Sequence, residues 1–296
     1  MKNFNELIQL AKTKGRKRCV VVKAEDDAVL EGIRLAMEQN LITPVLIGSQ
    51  AAIKTAAAKV KLDLASIEIH DIADEKEAIK KGIEIIKAQG DFLMKGLLST
   101  SAFLKGVLDK EFGLRTGKIL SHIAVLEVPA YHKLLFMSDG GMNPKLDLNV
   151  RLDIIRNGIA IMKPLGIAKP KIAMVAASET VNPDMPETVD ATAIVEMYKK
   201  GEIKDAVIEG PYGFDVAVSK TAAQHKKILS EVAGDADFIA MPNISAANVW
   251  AKSLVYLAKA KIAGIVAGAA KPVVMLSRAD EPETKVYSIA LGIATS

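Results

Sequence analysis

The sequence predicts an α/β protein built as two α/β/α lobes with a largely parallel, partly mixed sheet. Three observations carry this. Short β-branched runs alternate with helical stretches along nearly all of the 296 residues, as in strand-crossover-strand units. Between residues 117 and 140 two apolar runs follow one another with no helix of useful length. The alternation then resumes and continues to the end. Length alone allows one large domain or two ordinary ones.

The elements follow in order. "MKNFNELIQLAKTK" opens as an amphipathic helix. "RCVVVKA", "PVLIG", "IEIHDI" and "DFLMKG" read as strands. The segments between and after them, "DDAVLEGIRLAMEQN", "QAAIKTAAAKV", "EKEAIKKGIEIIKAQG" and "SAFLKGVLDKEFG", have helical spacing, with Gly90 as a C-cap. "GKILSHIAVLEVPAYHKLLFMSDG" gives two adjacent strands, open to antiparallel pairing. "LDLNVRLDIIRNGIAIMKPLG" is a long helix that opens the second series. That series runs through "PKIAMVAA", "VDATAIVEMYKKG", "DAVIEG", "DVAVSKTAAQHKKILSEVAG", "ADFIAMP", "AANVWAKSLVYLAKA" and "AGIVAGAAKPVVML", and "KVYSIALGIAT" closes the chain as a helix. The lobes are expected to divide as residues 1–139 with 281–296, and residues 140–280.

Composition excludes several classes. The net charge is +4, and aromatics make up 4% of the chain. A nucleic-acid binder would show a dense basic patch and stacking aromatics. The basic run "KTKGRKR" (residues 12–18) lies between a helix and a strand, as a solvated loop does. No apolar run reaches membrane-spanning length, and the N-terminus has no apolar signal segment. Cys19, the one cysteine, sits in a buried-looking strand and cannot form an internal disulfide. This fits a reducing cytoplasm and a packed thiol.

The commonest site motifs are absent: no G-x-G-x-x-G after a strand, no P-loop, no H-E-x-x-H or C-x-x-C, and no G-x-S-x-G elbow. The four histidines have no metal spacing. What remains are polar clusters at the expected carboxyl ends of strands, where open α/β sheets bind ligands. "LMKGLLST" offers Lys95, Ser99 and Thr100 at a strand-to-helix turn. They serve equally as a helix cap or an anion site. "FMSDGGMNP" sets Ser138, Asp139 and Asn143 in a turn of strong turn formers. "VIEGPYGFDVAV" carries Glu209 and Asp215. "IAMPNISAANVWAKSL" carries Asn243, Asn248 and Lys252, the last two on one helix face. "MLSRADE" adds Ser277, Arg278 and Asp280.

These stretches, with "LSHIAVLEVPAYHKLLFMSDGGMNP" and "PVVMLSRADEPETKVYSIALG", resemble the phosphate acetyltransferase and phosphate butyryltransferase family. The resemblance covers nearly the whole chain and is strongest from Asp91 onward. The "SRADE" ending with "YSIALG", and "HK" after "DVAVSKTAAQ", look more like the butyryl branch. The resemblance implies two lobes of the isocitrate/isopropylmalate dehydrogenase-like type with an interlobe cleft. It implies reversible acyl transfer between coenzyme A and inorganic phosphate, with no metal or redox cofactor. It also implies a homodimer or higher homo-oligomer; that there is no nucleic-acid or membrane partner is the expectation from charge, aromatic content and hydropathy.

By the same resemblance Ser277 is the oxyanion donor and Arg278 the phosphate clamp. Asp280 is taken as the general base. Acetyl-type members carry an acid seven positions after the serine, where this chain has Thr284. Glu281 and Glu283 read as solvent-facing. Lys95, Thr100, Asn143, Asn248 and Lys252 are placed around phosphate or the phosphates of coenzyme A. Two other readings stand beside this one. A decarboxylating hydroxy-acid dehydrogenase would need clustered arginines and a site of aspartates. A non-catalytic acyl-CoA or phosphate binder of the same fold would have lost turnover.

Overall fold

The computed structural model describes residues 1–275 and 281–296; Ser277, Arg278 and Asp280 lie outside the described residues. The chain divides into two compact units. One comprises Asn5–Lys118 and Ala263–Ser296, the other Met1–Phe4 and Ile119–Ile262. The sequence reading places the two crossings later, at 139/140 and 280/281. The reason for the difference lies in strand pairing: the two runs before residue 140 belong with the second series, and the strands after residue 262 with the first.

In the first unit the strands are β1 (Lys17–Val22), β2 (Ile42–Gly48), β3 (Glu68–Asp71), β4 (Phe92–Lys95), β10 (Lys261–Ala267) and β11 (Val273–Val274). They lie in the order β3-β2-β1-β4-β11-β10. All pair in parallel except β10 with β11. Parallel neighbours need crossovers, and α2 (Asp27–Glu38), α3 (Gln50–Lys59) and α4 (Glu75–Gln89) supply them. Each begins on an Asp or Ser that accepts from a backbone N–H one turn in: Asp26, Ser49 and Asp74. On α4, Ile79, Ile83 and Ile86 fall on one buried stripe. Full burial stabilises by about 1.5–3 kcal/mol per such side chain.

The last helix, α11 (Pro282–Thr295), is buried from Lys285 to Ala294. A Cβ at Gly32 of α2 would come 2.8 Å from the Lys285 Cβ, and one at Gly292 would come 3.0 Å from Val274. The helix is therefore core to this unit, and only small residues allow so close an approach. α5 (Thr100–Val107) is shorter than the pattern to Gly113 predicts. Asp109 accepts from the amides of Glu111 and Phe112, and this local turn competes with further helix.

In the second unit the order is β5-β6-β9-β7-β8. The strands are β5 (Ser121–Glu127), β6 (Leu135–Ser138), β7 (Lys171–Val175), β8 (Val207–Tyr212) and β9 (Phe238–Ala240). β5 and β6 are antiparallel, as the sequence allows; the other pairs are parallel. The helices are α6 (Leu148–Met162), α7 (Pro186–Lys199), α8 (Phe214–Val218), α9 (Lys220–His225) and α10 (Ile244–Ala258). α8 and α9 are separate because Ser219 is extended and caps Ala222. A Cβ at Gly158 of α6 would come 2.8 Å from the Phe238 ring, so α6 lies close on β9.

Candidate active site

The parallel strands of each unit bring a set of turns to one sheet edge. In the first unit, Lys95 ends β4 beside Val22 of β1. Two backbone bonds lay the next turn on β1: Gly96 N to Val22 O at 2.8 Å and Leu97 N to Lys23 O at 2.6 Å. A Cβ at Gly96 would collide with the Lys23 carbonyl, which is why glycine follows the lysine. The Lys95 ammonium donates to the carbonyls of Gly96 and Leu98, so it braces its own turn. Ser99 is the cap of α5, accepting from Ala102 N at 3.0 Å. Thr100 is the first helical residue and is exposed.

Sequence reasoning missed a pair at this edge. Lys23 and Glu25 form an ion pair at 2.5 Å; Lys23 also donates to Ala73 O and Glu25 accepts from Ser49 N. The polar run directly after β1 is the signal that could have found it. Val274 of β11 pairs beside Met94. Further along the chain, Glu281 and Glu283 are exposed and Thr284 is half-buried in the first turn of α11.

In the second unit, the edge is organised by Asp139, which is fully buried and joined to Ser138 by a cis peptide. Its Oδ1 accepts from Gly141 N at 2.8 Å and Met142 N at 2.9 Å. Its Oδ2 accepts from His122 N at 3.3 Å and Asn143 Nδ2 at 2.6 Å. Asn143 also donates to Leu120 O at 2.9 Å. Asn248, on α10, donates to Gly140 O at 3.0 Å. The structure thus brings Asn143 and Asn248 to one turn, from 105 residues apart in sequence. Lys252 is one helical turn further, exposed, with no hydrogen bond or ion pair among the described residues.

Arg151 was not singled out by sequence reasoning, yet it positions this edge. Its guanidinium is buried and bonds Asp190 at 2.9 Å, Met241 O at 3.2 Å and Pro242 O at 2.7 Å. It therefore fixes the turn that leads into the Asn243 cap of α10 and so carries Asn248. Asn157 does the same for the start of β5, donating to Ile119 O and Ser121 Oγ. Nearby, the β8 exit is held by local charge. The hydrogen bond from Lys226 lowers the Glu179 carboxyl, and Glu179 accepts from Gly213 N. Burial pushes the Tyr212 hydroxyl up to about 12, and it donates to Glu209 at 2.8 Å.

Among the described residues no group of three or more His, Cys, Asp or Glu side chains is arranged to hold a metal ion. No helix there is long and apolar enough to cross a membrane. Cys19 is fully buried, and burial pushes its thiol well up, so it is packing rather than a nucleophile.

The family model described as phosphate acetyl/butaryl transferase matches residues 3–90 and 79–293. The chain belongs to this family. It is 41% identical over 292 residues to a phosphate butyryltransferase of Clostridium acetobutylicum, covering 98% of this chain and 97% of the relative. It is 40% identical over 289 residues to a phosphate acetyltransferase of Thermotoga maritima, covering 97% and 98%. The crystal structure of a branched-chain phosphotransacylase from Enterococcus faecalis superposes with a TM-score of 0.84 at 26% identity, covering 94% of this chain and 98% of that one. Phosphate acetyl/butaryl transferase membership fixes the α/β class with its largely parallel strands, and makes the protein an acyltransferase. The dehydrogenase and non-catalytic readings give way to it.

Proposed function

We propose that the protein moves a short acyl group, butyryl or branched, reversibly between coenzyme A and inorganic phosphate. The observation that carries this is the match to phosphate butyryltransferase along nearly the full chain. The branched-chain phosphotransacylase neighbour supports the acyl range. A phosphate oxygen attacks the thioester carbonyl, the C–S bond breaks, and the products are acyl phosphate and free coenzyme A. In reverse, the thiol loses its proton and its sulfur displaces phosphate.

An ordinary thiol pKa is about 8.5, so a carboxylate base helps remove its proton. Asp280 takes that role in this reading. The carbonyl oxygen gains charge and needs a donor, for which Ser277 is assigned. Arg278 clamps the phosphate through its planar fork. Lys95, Thr100, Asn248 and Lys252 are assigned, each within its own unit, to the phosphate-bearing groups in this reading. Coenzyme A is a substrate, and the chemistry calls for no further cofactor. The reading also includes self-association as a homodimer or higher homo-oligomer. The exposed Val249, Tyr256 and Leu257 on α10 support that part. The protein acts in the cytoplasm in this reading, and nucleic acid and membrane have no part in it.

An acyl-CoA panel with phosphate, followed by free-thiol release, tests the reading. Butyryl- and branched acyl-CoA are expected to turn over faster than acetyl-CoA. Equal or faster acetyl transfer overturns the acyl assignment, and silence across the panel overturns the transferase.

A further inference from the structure

The orientation of Asn143 carries a conclusion about which part of a substrate it meets. Its Nδ2 donates to Asp139 Oδ2 and to Leu120 O. A carboxylate and a carbonyl only accept, so the NH2 group is fixed toward them. The flipped amide would set oxygen against oxygen on both sides. Both N–H groups are then used, and Oδ1 is left with no partner among the described residues. Asp139 cannot turn away, because the amides of His122, Gly141 and Met142 hold its carboxylate inside the unit.

A ligand at Asn143 therefore meets an acceptor. The ionised oxygens of phosphate and diphosphate are acceptors too, so they mismatch. Coenzyme A also carries neutral donors, the amide N–H groups and hydroxyl of its pantetheine arm, and these match. On the same edge Lys252, exposed and with no ion pair among the described residues, is a cation that suits the phosphate-bearing end, one α10 turn beyond Asn248. The sequence expectation sets Asn143 beside phosphate or the phosphates of coenzyme A; with both its N–H groups used, a donor on the substrate matches it better.

We propose that Asn143 accepts a hydrogen bond from an N–H or O–H of the pantetheine arm, and that Asp139 is the positioning residue that fixes it as an acceptor. This rests on the acyl-transfer reading above.

The test is steady-state kinetics with butyryl phosphate and either coenzyme A or pantetheine, which lacks the nucleotide and its phosphates. Asn143→Ala is expected to raise KM about three- to tenfold for both thiols. KM for phosphate in the opposite direction should stay within about twofold. Asn143→Asp sets two carboxylates face to face and should be worse. Adding Asp139→Asn to it removes that repulsion and restores a donor–acceptor pair between the two positions, with only the contacts to His122 N and Leu120 O left mismatched, and should recover at least about threefold of the Asn143→Asp loss. A purely structural Asp139 predicts further loss in that swap, which would overturn the positioning role. A raised phosphate KM with unchanged thiol KM, or a penalty absent with pantetheine, overturns the acceptor role. A wild-type protein that makes no thioester sinks the acyl-transfer reading itself. An active wild type with Asn143→Ala unchanged sinks only this inference.

Discussion

The two edges of the second unit's sheet use polar residues in opposite ways. At the amino ends of β6, β7 and β9, charges close on one another. Asp235 is bonded by Lys171 at 2.6 Å, Lys133 at 2.9 Å and His132 at 2.8 Å. Asp237 pairs with Lys133 at 2.7 Å and accepts from Lys171 N. Tyr131 donates to Ala236 O. At the carboxyl ends, polar groups are held just as firmly but keep capacity in reserve. Asn143 keeps an acceptor and Lys252 a cation. Ser138 Oγ is buried with no hydrogen-bond partner among the described residues, and Ser138 lines a small cavity with Arg151 and Met241. A closed network stabilises; an incompletely used one on rigid supports is what a ligand site requires.

Substitutions can break or sharpen this contrast. The largest expected effect is Arg151→Ala. It strands Asp190 and two carbonyls, and should cost about 3 kcal/mol of stability while also raising KM for coenzyme A, since Asn248 loses its footing. Denaturant unfolding and kinetics on one preparation check both. Asp235→Asn comes next, at about 2 kcal/mol, with kcat/KM per folded molecule unchanged. Any loss of catalysis there would erase the distinction between the edges.

The same residue gives a pH signature. Burial alone would raise the Asp235 carboxyl, but hydrogen bonds from Lys171, Lys133 and His132 overcome it and hold the group well below the usual range. Its contribution is thus complete above the unfolded value of about 4 and fades as pH falls toward the lower folded value. Wild-type stability should drop on acidification below about pH 4, and the drop should flatten in Asp235→Asn. The smallest effect is Lys252→Ala: about a threefold rise in KM for coenzyme A that shrinks with salt, and no change in melting temperature. A salt-independent effect would remove Lys252 from the anion's path.

Much of this was legible in the sequence because it is local. Alternating runs marked nearly every strand and helix, and "SHIAVLE" with "LLFMS" gave the adjacent pair that turned out antiparallel. Where reading failed, a short polar side chain had redirected the backbone: Asp109 ended α5 early and Ser219 separated α8 from α9. The division into two compact units follows pairings such as that of β6 with β9, about a hundred residues away, and no local pattern records them. The site clusters were visible as turn formers. The bonds that give them direction were not, since Arg151 reaches carbonyls 90 and 91 residues along the chain. Nor could spacing show which end of the Asn143 amide faces outward.

The central claim is acyl transfer to phosphate, and its direct measurement is the product balance from butyryl-CoA. With phosphate present, butyryl phosphate and free coenzyme A should form in equal amounts, and omitting phosphate should stop both. Thiol release that continues without phosphate, or no release at all, would contradict the account.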